Sequence, residues 1–303
     1  MWGSLLGALA PCAVPFVPHA LAEDAELHAK ASQEARGEEA FKSALARLGS
    51  AQANERAAAA DELGRRGFRF RKQIADALRP LLSKDPDASV RAACGRALGR
   101  LGLREALPEL TQALSDGSAD VRAVAAAALW RLPEPKSVPA LIERTRDEDA
   151  KVREWSALAL GAAKDARALA PLIERLSDAD RSVRLAAIRG LGRMNSSEAL
   201  VPLQGYLTGA TRDEEEKDEV VAAVVAIEGS ERVASLLALY AAAASDVAQK
   251  RRLLSALTRV GDAQALPMLR KLSSERDARG LRAPALAAYN AVLARVGDAG
   301  VAP

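Results

Sequence analysis

The stretch Asp85–Leu101, DPDASVRAACGRALGRL, returns three more times at a constant interval. Asp116–Leu132 reads DGSADVRAVAAAALWRL, Asp147–Ala163 reads DEDAKVREWSALALGAA, and Asp178–Met194 reads DADRSVRLAAIRGLGRM. Val90, Val121, Val152 and Val183 stand 31 residues apart, and Arg91, Arg122, Arg153 and Arg184 keep the same step. A fixed period of this length, carried by helix-forming residues, predicts an all-α solenoid of stacked helix pairs. Such a fold offers surfaces more readily than pockets, so binding rather than catalysis is the first expectation.

Turn signals divide each copy into two helices. Asp87 caps a helix running through Val90 to Arg100, Gly102 ends it, and Leu107-Pro108 lies in the first turns of the next, which closes at Asp116 where the following unit begins. Pro108, Pro139, Pro171, Pro202 and Pro267 occupy corresponding places, where a missing N–H is harmless. Alignment on the helix end adds Gly67 before the clean copies, which puts Arg56 in the arginine column. It adds Gly229, Gly261 and Gly297 after them, where that column reads Asp218, Lys250 and Leu286. The count comes to about eight helix pairs, with atypical terminal units acting as caps.

Composition agrees. Of the 303 residues, 49% are apolar but only 3% aromatic, a balance that suits close helix packing and disfavours sheet. The net charge of +3, from 43 basic and 40 acidic residues, lacks the excess expected of a protein that lives on phosphates, so nucleic acid is not the expected partner. No charged residue precedes Glu23, and Ala20-Leu21-Ala22 has the form of a signal peptidase site. Residues 1–22 therefore read as a signal peptide for export to the periplasm or beyond. The alternatives are a membrane anchor over the same residues, which Pro11, Pro15 and Pro18 disfavour, and a misassigned start. Residues 23–37 would form an arm or leading helix, 38–298 the solenoid and 299–303 a tail. Loss of the leader would remove Cys12 and leave Cys94 alone, without a disulfide partner.

The recurring phrase resembles the HEAT repeat, and is similar to its short subclass of phycobilin-lyase type. Asp87, Val90, Arg91, Ala97, Leu98, Gly99, Leu101 and Leu107-Pro108-Leu110 carry the likeness, and it returns one and two periods on. It covers roughly residues 38–298, most clearly 85–208. The resemblance implies a right-handed α-solenoid whose second helices line a concave face. Members serve as adaptors, scaffolds, bilin lyases and a metal-dependent hydroxylase built on His-Glu pairs. This chain has no His-Glu pair and no residue matching a specific lyase signature, so neither chemistry carries over.

The arginine column could be a track for an anionic ligand. The preferred reading is a structural ladder: Arg91, Arg122, Arg153 and Arg184 bond inter-repeat aspartates or helix-end carbonyls, with Asp87, Asp120, Asp149 and Asp180 as available partners. Cys94 shares its column with Ala125, Ser156 and Ala187 and reads as core. At about 100° per residue from each valine, offsets 0, 4, 7, 8 and 11 form the buried face, while offsets 2, 5, 6 and 9 point toward the concave surface. These include Trp130, Leu158, Leu185 and Ile188, bordered by Arg96, Arg100, Arg131, Arg189 and Arg193. An apolar strip with an arginine margin is the composition of an interface. Arg65–Lys72 reads as an inter-helix turn whose phenylalanines reach the core, and Asp213–Glu216 as a solvated helix start. No nucleophile–base set, phosphate loop or metal motif is visible. The expected protein is a monomeric, non-catalytic scaffold for a protein or peptide, with no cofactor or metal. The alternatives are a lyase-type accessory protein holding a small molecule, and a structural spacer.

Overall fold

The computed structural model describes residues 36–208, 213–229, 231–243, 246–275 and 280–299. The leader, nearly all of the arm and the end of the tail lie outside them. Over the described residues run sixteen helices and no strand. They are α1 (36–47), α2 (Ala53–Arg66), α3 (Arg71–Lys84), α4 (Ala88–Leu101), α5 (Leu107–Ala113), α6 (Ala119–Arg131), α7 (Val138–Arg144) and α8 (Ala150–Ala163). There follow α9 (Leu169–Arg175), α10 (Arg181–Met194), α11 (Leu200–Thr208), α12 (Glu214–Ala226), α13 (Glu231–Ala242), α14 (Val247–Val260), α15 (Leu266–Ser274) and α16 (Arg282–Ala299).

Local chemistry sets the boundaries. Asp87, Asp149, Asp180, Asp213 and Asp246 precede α4, α8, α10, α12 and α14, and each accepts a backbone N–H of the first turn. Each such cap contributes about 1 kcal/mol. Gly102, Lys164 and Asn195 close α4, α8 and α10 at positive φ of 63°, 51° and 56°. The equivalent residue after α6 is Pro133, which cannot take that conformation, so α6 ends on Leu132 at φ −124°. Pro108, Pro139 and Pro267 fall in the first two positions of α5, α7 and α15, as their spacing predicts.

Each odd-numbered helix from α3 onward packs on the even-numbered helix that follows it. The hairpin unit therefore runs from the Leu-Pro helix to the Val-Arg helix, one helix out of phase with the division drawn from the sequence at Asp116. A short turn such as Asp85–Asp87 holds the two helices of a unit together. The even helices also stack in series from α2 to α16, whereas α5, α7 and α9 barely meet. A stack drawn tighter along one layer curves toward it, which makes the even-helix layer the concave one. Val90, Val121, Val152 and Val183 are fully buried, and Cys94, Ala125, Ser156 and Ala187 are at most 1% exposed. Burial above all, with the charges of Asp85 and Asp61 adding to it and Arg96 opposing, pushes the Cys94 thiol up to about 12, so this cysteine is packing and not chemistry.

The arginine column is a structural ladder. Arg56, Arg91, Arg122 and Arg153 donate to Asp85, Asp116, Asp147 and Asp178 through pairs of hydrogen bonds of 2.7–3.0 Å. A further nitrogen of Arg91 donates to the carbonyls of Asp85 and Pro86, and the others repeat the pattern. The acceptors differ from those expected: Asp87, Asp149 and Asp180 are the helix caps, and the guanidinium reaches the aspartate opening the next even-helix turn. Arg184 meets Glu216 instead, with Tyr206 as a second acceptor.

Beyond the clean copies the column shifts register from where the sequence alignment placed it. Each ladder residue makes the first backbone bond of its helix, donating its N–H to the carbonyl of the residue just before the helix: Arg184 to Asp180, Lys217 to Asp213, Lys250 to Asp246, Ala285 to Leu281. Lys217 and Ala285, not Asp218 and Leu286, therefore hold the column. Lys217 still makes the forward contact, to Asp246 at 3.1 Å.

Candidate binding groove

The even helices present a groove of about 520 Å³ across α4, α6 and α8. Its floor is small side chains, among them Ala92, Gly95, Ala123 and Ala127, with Val124 beside them. Its walls are Arg96, Arg100, Arg131, Lys151 and Trp155, with Asp120 and Ser89 at one end. In offsets from the valines, the lining is centred on −1, 2, 3, 6 and 10.

That line differs from the one drawn from the sequence because each even helix has two even neighbours as well as its odd partner. The buried arc is wider than that of an ordinary amphipathic helix and takes in offsets 5 and 9. Ile188, at offset 5, is fully buried, and Leu185 is 6% exposed, so neither can touch a partner. An aspartate at Ile188 would test folding and not binding. Leu158 is half-buried against the core. Offset 9 is glycine in α4, α8 and α10 because the next even helix lies directly on it. A methyl group at Gly99 would stand 2.6 Å from Ala128 Cβ.

In α6 the same position is Trp130. The ring has no room between the helices and lies on the concave surface, half-buried, tilted at 54° against Trp155 with centroids 5.7 Å apart. The guanidinium carbons of Arg131 and Arg193 lie 5.3 and 5.5 Å from its centroid. Arg193 projects from α10, so it crosses α8 to reach this ring. The Trp130 indole N–H is buried and has no acceptor among the described residues.

The five marginal arginines fall into two kinds. Arg96 pairs with Asp61 at 3.0 Å and Arg189 with Glu219 at 2.6 Å, each bridging to a neighbouring even helix. Arg100, Arg131 and Arg193 have no carboxylate within ion-pair distance among the described residues; Arg131 donates only to the Ala127 carbonyl of its own helix. Trp155, Val124 and Lys151 are groove residues that the sequence reading missed. Offsets 3 and −1 of the columns held the signal, since Ala, Val and Trp share offset 3 where a solvated helix would carry charge.

Two further stretches resolve differently. Phe70 stacks on Phe41, with centroids 4.0 Å apart, at the turn between α2 and α3, in keeping with the inter-helix reading of that basic run. The side chains of residues 66–68 are outside those described. Asp213–Glu216 is not a freely solvated helix start. Asp213 and Glu215 bind Arg181, Glu214 binds Lys217 and Arg252, and Glu216 is 2% exposed against Arg184.

Comparison with known proteins follows the same lines. The family model for HEAT repeats matches residues 41–120, 107–182 and 169–255. A search of curated proteins finds no match. Among solved structures, the complex of CpcE and CpcF of phycocyanin lyase from Nostoc sp. PCC7120 is similar at 22% identity and a TM-score of 0.50, covering 84% of this chain and 94% of that one. YibA of E. coli is similar at 20% identity and a TM-score of 0.55, over 74% and 82% of the two chains. An engineered protein gives 20% identity and a TM-score of 0.53 over 82% and 77%. At these identities the likeness is one of fold. With repeats matched across most of its length, the chain belongs to the HEAT-repeat family.

Proposed function

We propose that this chain is a non-catalytic binding scaffold that holds a peptide or protein segment along its concave face, across α4, α6 and α8. The observation that carries the reading is the groove itself: a floor of alanine and glycine walled by Trp155 and by cations, Arg100 and Arg131, that find no carboxylate among the described residues. Small floor residues let a main chain approach closely, and aromatic and arginine side chains are the usual anchors of recognition. The apolar stretch before Glu23 supports an exported protein.

Peptides selected by display against the purified protein should bind this groove. Ala127→Phe fills the floor at its centre and should weaken them at least tenfold, about 1.4 kcal/mol, while the helical circular dichroism is retained. Equal affinity of the variant and the wild type would place the peptides elsewhere and defeat the reading. A second reading, a small-molecule holder, draws on the volume of about 520 Å³, which falls in the range of ligand pockets. It predicts that display returns nothing while a small-molecule thermal-shift screen gives hits lost in Ala127→Phe.

A further inference from the structure

Nine residues after each ladder position comes a second column: Arg65 in α2, Arg100 in α4, Arg131 in α6, Ala162 in α8 and Arg193 in α10. We propose that this second row recognises an extended acidic segment, an Asp/Glu-bearing peptide lying along the groove with a carboxylate seated between Arg131 and Arg193. The inference rests on the scaffold reading above and names the chemistry of its partner.

The two columns of one solenoid behave in opposite ways. Every arginine of the ladder is matched inside the molecule, three of the five with side chains 15–17% exposed and the other two less. Of the second row, Arg65, Arg100, Arg131 and Arg193 are all exposed, and none has a carboxylate within ion-pair distance among the described residues. Helix dipoles account for a cation in a last turn, but they do not account for this difference. Arg144 and Arg175, in the last turns of α7 and α9, pair with Asp147 and Asp178 on the other layer. Arg96 and Arg189, on the same concave face one turn earlier, are paired as well. Among the arginines of residues 85–208, a missing countercharge within the described residues is confined to this row.

Within it, two members converge. Arg131 and Arg193 come from helices two steps apart and lie over one Trp130 ring. The indole quadrupole attracts each of them, but two like charges gathered on one ring repel, and a carboxylate between them removes the repulsion. Arg100 leans the same way, its Nη1 lying 3.6 Å from where a methyl group at Gly64 of the preceding even helix would stand. Arg100 and Arg131 thus wall the small-residue floor, and Arg193 joins them at the Trp130 ring.

Spacing selects the polymer. Packed helices are about 8–10 Å apart, and an extended chain advances about 3.3 Å per residue, so about three residues span one repeat. The helix positions of the row advance one per step, but Arg193 reaches back across α8 to share the Trp130 ring with Arg131. The charge is thus gathered at that ring, and a peptide with an acidic residue at every third position offers a carboxylate there in any register. Duplex nucleic acid carries one charge per about 1.7 Å of axis, far denser than this row supplies.

The test uses the full protein and three fluorescein-labelled probes of equal length: Glu-Ala-Ser repeated five times, Lys-Ala-Ser repeated five times, and a single-stranded oligothymidine. Fluorescence anisotropy at low salt should show the glutamate peptide binding at least 30-fold tighter than the lysine peptide, with affinity falling as salt rises. The double variant Arg131→Gln/Arg193→Gln should lose at least tenfold, whereas Arg270→Gln on α15 should lose nothing. Both variants replace exposed side chains, and circular dichroism checks that they fold. Equal binding of the two peptides, unchanged affinity in the double variant, or tighter binding of the oligothymidine would overturn the proposal. Display-selected peptides that are lost in Ala127→Phe yet carry no acidic pattern would overturn it too, while leaving the scaffold reading intact.

Discussion

Asp147→Ala should lower the stability of the solenoid by about 3–5 kcal/mol, seen as a drop in the urea midpoint. Arg122 and Asp147 form the most enclosed rung of the ladder, with side chains 8% and 2% exposed. Two ions taken out of water gain nothing unless their geometry is good, but removing one of a buried pair leaves the other uncompensated, which costs about that much. Asp147 also accepts the Asp149 backbone N–H and an Arg144 guanidinium N–H, so with the two Arg122 nitrogens the truncation frees four donors at once. Because each unit touches only its neighbours, the damage falls at the α6–α8 junction and the unfolding curve should broaden. The double variant Arg122→Met/Asp147→Leu, which removes both charges, should recover most of the loss. A single variant within 1 kcal/mol of wild type would show that the rung does not hold the stack.

Titration should reach the same contacts. Burial works to raise the Asp147 carboxyl, but the Arg122 bond, the Asp149 amide and the Arg122 and Arg144 charges together hold it below its ordinary value of 3.8. Asp116 and Asp178 are set in the same way, while at Asp85 the Arg56 bond is the largest influence. A carboxyl depressed on folding stabilises the native state fully above its unfolded value and loses that contribution as pH falls through the folded one. The ladder's contribution to the urea midpoint should therefore be full and independent of pH near neutrality, and be lost progressively below about pH 4.

Gly161→Ala should destabilise the protein, although alanine is the better helix former. At an unhindered helical site the exchange gains about 1 kcal/mol. Here the added methyl would lie 2.7 Å from the Gly190 carbonyl oxygen and 2.9 Å from its carbon. The obstacle is backbone, which cannot rotate aside, so α8 and α10 must part along their length. Overpacking of that kind costs about 1–3 kcal/mol, and more where backbone must move. A net loss of about 2 kcal/mol is expected in urea unfolding. Gly205→Ala is the matched control, since nothing lies within 4 Å of a methyl there in α11, and it should stabilise. Two variants of the same chemistry should thus shift the midpoint in opposite directions. A stabilised Gly161→Ala would mean that the even helices do not approach as described.

The repeat, its helix ends and the structural role of the arginines were legible in the sequence because they depend on contacts every unit makes alike. A constant 31-residue step fixes Val90 to Val183 in one column, and Gly102 marks an αL closure by composition alone. Where loops lengthen, the inference slips: the step from Arg184 to Lys217 is 33 residues, so aligning on the glycine at the helix end misplaces the column by one. The groove was legible only in part. Of the expected strip and margin, Arg96, Arg100 and Arg131 line the groove and Trp130 packs on its wall residue Trp155, but a single-helix wheel cannot know that a second helix of the same kind lies on each side. It therefore left Ile188 outside the core and overlooked Trp155. Carboxylate pairing, which separates Arg96 from Arg100, depends on Asp61 lying 35 residues away and has no local signature.

Three ladder arginines of the clean copies grip an acceptor 25 residues ahead: Arg91 meets Asp116, Arg122 meets Asp147 and Arg153 meets Asp178. Excise residues 116–146 and Arg91 meets Asp147 at that same forward distance; insert a second copy and the reach is again satisfied. The middle of this protein is accordingly a cassette, able to lose or duplicate one module with each of these grips remade, and the stack can be lengthened stepwise like beads added to a string.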